Sequence, residues 1–254
     1  MSARFVDKVI LITGATSGMG LATAERIAAE GGRVVLAARG KDAGEARAAA
    51  IRAAGGEATF VPADVTVEAE AADLVRQAVE RYGRLDGAFN NVGAATAPGP
   101  VTAVDGDAWR AELALNLDSV FYGLKYQIPA LQAAGGGSIV NNASNVSVTG
   151  MAGLAAYSAA KHGVLGLTRS AALETATTGV RINALVTGGV DTPLLRGNLG
   201  PAPDEALRAT EAMHPVGRIG RPDEIAAFAA FLLSGEAPFI TGAALAIDGG
   251  LTAA

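Results

Sequence analysis

The sequence predicts an α/β fold: a doubly wound, parallel, seven-stranded sheet with helices on both faces. Two observations predict it. Short strand-like segments recur seven times, and the first is a continuous apolar run, as a strand buried on both faces requires. Helix-forming stretches, mostly Ala-rich, separate them, so strand and helix alternate almost to the end, with right-handed crossovers. No linker, repeat or low-complexity tract interrupts the 254 residues, so 1–254 is read as a single domain.

Residues 8–13 form the first apolar run and open the sheet. Gly14, Gly18 and Gly20 follow in a turn, and a helix runs over 21–30. Strand, glycine turn and helix together make a cradle for a pyrophosphate. Glycines let the backbone approach the anion, and the helix N-terminus offers free N–H groups and a partial positive charge. The spacing is Gly-x-x-x-Gly-x-Gly rather than Gly-x-Gly-x-x-Gly. Plain tight turns use glycines too, so position, not composition, carries the reading. A second strand covers 33–38. In a dinucleotide site its end lies near the adenosine ribose, where an acid would bind the 2′-hydroxyl of NAD. Ala38 and Arg39 stand there instead, with Lys41 close by. An arginine pairs with a 2′-phosphate through charge-assisted hydrogen bonds, so NADP(H) is favoured and NAD(H) stays possible. Ser17, inside the glycine loop, adds no second cation.

Residues 43–54, Ala-rich with Glu45, Arg47 and Arg52, read as a helix. The third strand, 59–63, ends at Asp64, which either caps the next helix or hydrogen-bonds the adenine amino group. A helix follows over 67–82 and a fourth strand over 85–89. Asn90, Asn91 and Gly93 at its carboxyl end are turn formers that would line a crevice at a switch point. A long helix is expected from about 104 to 131, with Asn116 near its middle. A mid-helix Asn usually faces solvent; facing inward, it could hold a water or a lysine. The fifth strand, 138–140, leads to Ser144, and 180–185 is the sixth. Residues 188–214 are rich in Gly and Pro and read as irregular: a mobile lid over a substrate, or an ordinary long connection. Pro222 opens a helix through Leu233, and 244–247 is the last strand.

Composition narrows the function classes. Half of the chain is hydrophobic and 18% is charged, a core-rich mix. The net charge of −5, with no basic block, argues against nucleic acid as a partner. Zero cysteines exclude disulfides and thiolate metal sites, and two distant histidines, His162 and His214, leave no metal motif. No uncharged apolar run reaches the ~18 residues of a membrane span, and residues 1–7 do not read as a signal peptide. A cytoplasmic enzyme or binding protein remains.

The stretch from Ser144 to Lys161 carries the chemistry. Tyr157 and Lys161 stand at i and i+4, one turn apart on one helical face. Ser144 follows the fifth strand, and the residues between contain Gly150 and Gly153 and read as a loop. A hydroxyl, a phenol and a cation brought together suit proton transfer to a carbonyl oxygen. Tyr-x-x-x-Lys alone is common and needs a cofactor site elsewhere, which the glycine turn supplies.

Taken together, these residues resemble the one-domain branch of the short-chain dehydrogenase/reductase family over essentially the whole chain. The resemblance rests on Thr13-Gly14 with Gly18 and Gly20, Asp64, Asn90-Asn91-x-Gly93, Asn116, Ser144, and Tyr157 with Lys161. It continues through Asn183, Gly188, Thr192-Pro193, Gly220-Arg221-Pro222 and Asp248-Gly249-Gly250. Ser144 and Tyr157 are 13 positions apart, the separation that family shows. The combined pattern is specific, although each piece alone is not.

The resemblance implies a Rossmann fold and an oxidoreductase transferring hydride between a nicotinamide cofactor and a ketone or secondary alcohol. Tyr157 would be the general acid and base, Ser144 would polarise the carbonyl, and Lys161 would hold the nicotinamide ribose and lower the phenol's pKa. Asn116 would anchor a water linking Lys161 to solvent. Gly14, Ser17, Gly18 and Met19 would line the pyrophosphate and ribose, Asp64 and Val65 the adenine, and Asn91 and Gly93 the adenosine ribose. Val190 and Thr192 would meet the carboxamide. Three departures stand out. Val92 replaces the usual Ala and could crowd the cofactor, Thr187 replaces the Pro before Gly188 and could loosen that loop, and Asn145 adds a polar group after Ser144. Val146, Met151, Leu154, Leu194, Leu195 and Met213 are candidate lining for a small to medium hydrophobic ketone or alcohol. Members are commonly homotetramers. The Asn116 and Tyr157 helices would form one interface and the C-terminal segment, 251–254, another. A non-catalytic dinucleotide sensor would have lost Tyr157 or Lys161. A dehydratase or epimerase on this scaffold would need a longer segment after Thr192.

Overall fold

The apolar runs become strands in an order that reverses once across the sheet. The structure, a computed structural model, describes residues 3–253. Strands β1 (Val9–Thr13), β2 (Arg33–Ala38), β3 (Glu57–Pro62), β4 (Gly87–Asn90), β5 (Gly137–Asn142), β6 (Val180–Thr187) and β7 (Ala244–Ile247) form one sheet. Its helices are α1 (Gly18–Ala29), α2 (Lys41–Ala53), α3 (Glu68–Tyr82), α4 (Gly106–Leu113), α5 (Ser119–Ala133) and α6 (Ala155–Thr175). The last three are α7 (Pro193–Gly197), α8 (Pro203–Ala212) and α9 (Pro222–Leu233). All strand pairs are parallel, in the order β3-β2-β1-β4-β5-β6-β7. The chain leaves β1 for β2 and β3, then returns to β1's other side with β4. That reversal leaves a crevice beyond the carboxyl ends of β1 and β4.

Alternate residues of each strand feed two core layers. Val9 and Leu11 of β1 pack with α3, α5 and α6; Ile10 and Ile12 pack with α1, α2 and α9. Every residue of β1 is buried, which explains why its run is continuous rather than alternating.

Two segments differ from the sequence expectation. The helix foreseen over 104–131 is compound: α4, a π-helical segment (Ala114–Asp118), then α5. Asp105 starts it, its carboxylate accepting from Asp107 N at 2.9 Å and Ala108 N at 2.8 Å. The stretch 188–214 contains α7 and α8 rather than irregular chain, and each opens on a proline. Those prolines, read as breakers, preset φ at a first helical position. Among the described residues no helix is long and apolar enough to cross a membrane.

Candidate active site

The sequence after β5 makes a tight turn that fixes Ser144. Ser144 N donates to Ser147 Oγ at 2.9 Å, while Ser144 Oγ accepts from Val146 N at 3.4 Å. This reciprocal cap holds the extended backbone of Ser144 at the mouth of β5. The Ser144 hydroxyl donates to Asn145 Oδ1 at 3.1 Å. Helix α6 then carries Tyr157 and Lys161 one turn apart, as the spacing foretold. Lys161 Nζ lies 5.7 Å from the Tyr157 ring centroid and donates to Asn142 O at 2.7 Å. The last carbonyl of β5 thus anchors a buried ammonium, 1% exposed.

Burial governs the protonation of both groups. It pushes the Tyr157 phenol up to about 12, with the Ser144 hydroxyl opposing and the Glu112 carboxylate adding to the rise. It draws the Lys161 ammonium down to about 8, with Glu112 opposing. The sequence reading had Lys161 lowering the phenol. Here Ser144 is the group that lowers it, and the ammonium is committed to Asn142 O.

Asn116 lies in the π segment, faces inward and is fully buried, its side chain turned to the loop after β4 and to Glu112. Its Nδ2 donates to Ala94 O at 2.9 Å, Glu112 O at 3.0 Å and Glu112 Oε1 at 3.1 Å; its Oδ1 accepts from Ala94 N at 3.0 Å. Gly93 completes the wall: a Cβ there would lie 2.7 Å from Asn116 Oδ1 and 2.8 Å from Lys161 Nζ. Only glycine lets this loop pass so close to both groups.

The adjoining crevice, about 410 Å³, lies at the switch point. Gly14, Ser17, Gly18, Met19, Arg39, Asp64, Val65, Asn91, Gly93, Thr192 and Leu194 line it. Gly14 and Gly18 have φ of +64° and +54°, and a Cβ on Gly18 would meet Thr192 Cγ2 at 2.9 Å. The first turn of α1 opens there, and the Ser17 side chain makes no capping bond to it. Free amides beside glycine backbone fit a pyrophosphate. Asn91 Nδ2 donates to Thr13 O at 3.0 Å and braces the β1 turn. Arg39 is exposed at the rim, with no ion-pair partner among the described residues. Asp64 does not cap α3, whose N-cap is Val67. Its Oδ1 accepts from Thr66 Oγ1 at 2.7 Å and Thr66 N at 3.0 Å, which holds its carboxyl below the ordinary value.

Val190 is buried and bridges backbone to Gly220, outside the crevice lining. The Thr187 loop is tied down rather than loose: Thr187 Oγ1 donates to Ala143 O at 3.3 Å, and Gly189 N donates to His214 Nε2 at 2.9 Å. Val92 packs on the core and lines the crevice. Of the apolar candidates, Leu194 lines the crevice, Leu195, Met151 and Leu154 are half-buried outside its lining, and Met213 is exposed. Val146 is 1% exposed and belongs to the interior, because the cap at Ser144 turns it inward. Sequence reasoning missed the Asn142 carbonyl, which leaves no signal, and Glu112, whose i, i+4 spacing to Asn116 was one. No cluster of metal-ligating side chains exists among the described residues.

Comparison with known proteins places the chain in a family. The family model described as enoyl-(acyl carrier protein) reductase matches residues 14–252. The chain is 40% identical to cyclohexanol dehydrogenase of Acinetobacter sp. (strain SE19), covering 99% of this chain and 98% of that protein. It is 41% identical to cis-4-hydroxycyclohexanecarboxylate dehydrogenase of Sinomonas cyclohexanicum, covering 100% of both. The crystal structure of levodione reductase superposes with a TM-score of 0.95 at 38% identity, covering 99% of this chain and 100% of that one. The chain belongs to the short-chain dehydrogenase/reductase family.

Proposed function

We propose that this oxidoreductase interconverts alicyclic secondary alcohols and their ketones, with NADP(H) as cofactor and Tyr157 as the proton-transferring group. The observation that carries the reading is the cluster of Ser144, Tyr157 and Lys161 beside the glycine-walled crevice. The bound nicotinamide supplies or takes up the hydride. The protein's own groups do the rest. Ser144 Oγ–H and the Tyr157 phenol both address the substrate oxygen, and Tyr157 gives or takes the proton there. Lys161, anchored by its bond to Asn142 O, holds the nicotinamide ribose. Asn116 sits behind Lys161 and links it to the proton supply.

Gly14, Ser17, Gly18 and Met19 take the pyrophosphate and ribose, Asp64 and Val65 the adenine, and Asn91 and Gly93 the adenosine ribose. Arg39, exposed at the rim and in no salt bridge among the described residues, takes the 2′-phosphate. Val190 and Thr192 meet the carboxamide. The substrate class is supported by relatives named for cyclohexanol and for a hydroxycyclohexanecarboxylate. Residues 188–214, with α7 and α8, serve as the lid, and Met151, Leu154, Leu194 and Leu195 give it an apolar lining. The chain works as one domain in a cytoplasmic homotetramer; exposed apolar side chains such as Trp109 and Phe121, beside the Asn116 helix, suit a subunit contact, and the second expected interface, 251–254, ends at Ala254, outside the described residues.

The test is a panel of cyclohexanols, cyclohexanones and open-chain counterparts, each with NADP(H) and NAD(H). Turnover of ring substrates with NADP(H) above NAD(H) is expected. No turnover of any ring alcohol or ketone with either cofactor would overturn the reading.

A further inference from the structure

Glu112 is a buried carboxylate that the scheme above does not use. It lies in the last turn of α4, is fully buried, and forms no salt bridge among the described residues. Such a group is costly unless its oxygens are fully hydrogen-bonded. They are: Oε2 accepts from Thr96 N at 2.7 Å, Ala97 N at 2.9 Å and the Thr96 hydroxyl, and Oε1 accepts from Asn116 Nδ2 at 3.1 Å. We propose that Glu112 is a positioning residue that locks the Asn116 amide and the 94–97 loop against the Lys161 side of the catalytic cluster. This inference rests on the site assignment above.

The argument is one of donors and acceptors. Every bond to Glu112 is one that it accepts, so the Asn116 NH₂ must face it. Asn116 Oδ1 is then turned to Ala94 N and to the point beside Gly93 that Lys161 Nζ also borders. A flipped amide would aim NH₂ at the ammonium and at Ala94 N, two donors. The loop held by Oε2 is the one that carries Gly93 and Ala94 along the crevice wall. The negative charge of Glu112 also raises both Lys161 and Tyr157 toward their protonated forms, and these are the titrating groups of α6 that feel it. A glutamine cannot substitute. Its NH₂ would meet either Asn116 Nδ2 or the three donors of the loop.

The experiment compares the full-length wild type with E112Q, E112D and Y157F. Lys161 is titrated by NMR in protein without cofactor, cofactor affinity is measured by fluorescence, and turnover by steady-state kinetics. E112Q is expected to titrate Lys161 at lower pH and to lose about 10-fold or more in kcat, while cofactor affinity changes less than about 3-fold. A folded E112Q with wild-type kcat and wild-type Lys161 titration would overturn the proposal. If E112Q does not fold, E112D decides, because it keeps the charge but draws it back from Asn116. Lowered kcat with a near-wild-type Lys161 titration supports the role, and wild-type values of both overturn it. Y157F with near-normal turnover would bring down the site assignment itself. Inactive Y157F beside a wild-type-like E112Q would bring down only the role of Glu112.

Discussion

The Ser144 hydroxyl donates to Asn145 Oδ1 across 3.1 Å, so the proton that would meet a substrate oxygen already has an acceptor. A carbonyl oxygen must displace that contact. A net hydrogen bond is worth about 0.5–1.5 kcal/mol, equivalent to roughly 2- to 10-fold in an equilibrium. Asn145→Ala is therefore predicted to lower the KM for ketone by that factor, with kcat nearly unchanged. A raised KM would mean that Asn145 holds Ser144 in place rather than competing for it.

Arg39 sits exposed at the crevice rim, and Ala38 ends β2 where an acid would repel a phosphate. Ala38→Asp combined with Arg39→Ser is predicted to move the NADP/NAD preference toward NAD by about 10- to 100-fold, the worth of one or two charge-assisted hydrogen bonds. The ratio of kcat/KM values for the two cofactors reads it directly. An unchanged ratio would show that Arg39 does not meet the 2′-phosphate.

Burial of Lys161 has a consequence for stability. Its ammonium titrates at about 8 rather than the ordinary 10.5. Between these values the unfolded chain holds a proton that the folded chain lacks, so this group makes stability rise with pH across that window. Below about 8 the burial cost is fully present. Lys161→Met is thus predicted to stabilise the protein at pH 7 by about 1–3 kcal/mol, allowing for the lost bond to Asn142 O, while abolishing turnover. The gain in melting temperature should shrink as pH rises above 8. A lower melting temperature at pH 7 would contradict the assigned cost.

Strand β1 was legible because burial on both faces leaves an unbroken apolar run, and the cradle because Gly14 and Gly18 occupy positive φ. The placement of Ser144, Tyr157 and Lys161 followed from helical periodicity and one strand end. Other features depend on contacts between distant residues. The inward-facing Asn116 lies in a π segment whose residues have no local mark. The anchor of Lys161 is a backbone carbonyl, Asn142 O, which any residue type would supply. Val146 was assigned to a pocket because an apolar side chain looks the same lining a cavity or filling one. The stretch 188–214 was read from its prolines as broken chain, although Pro193 and Pro203 begin helices.

The role of Tyr157 is tested most directly by Tyr157→Phe, which removes one oxygen and leaves the ring beneath Lys161 in place. Loss of acid–base assistance typically costs ~10²–10⁴-fold. Single-turnover mixing of the variant with bound reduced cofactor and a cyclohexanone should leave the nicotinamide absorbance nearly constant, at unchanged cofactor affinity. Hydride transfer at close to the wild-type rate would contradict the account.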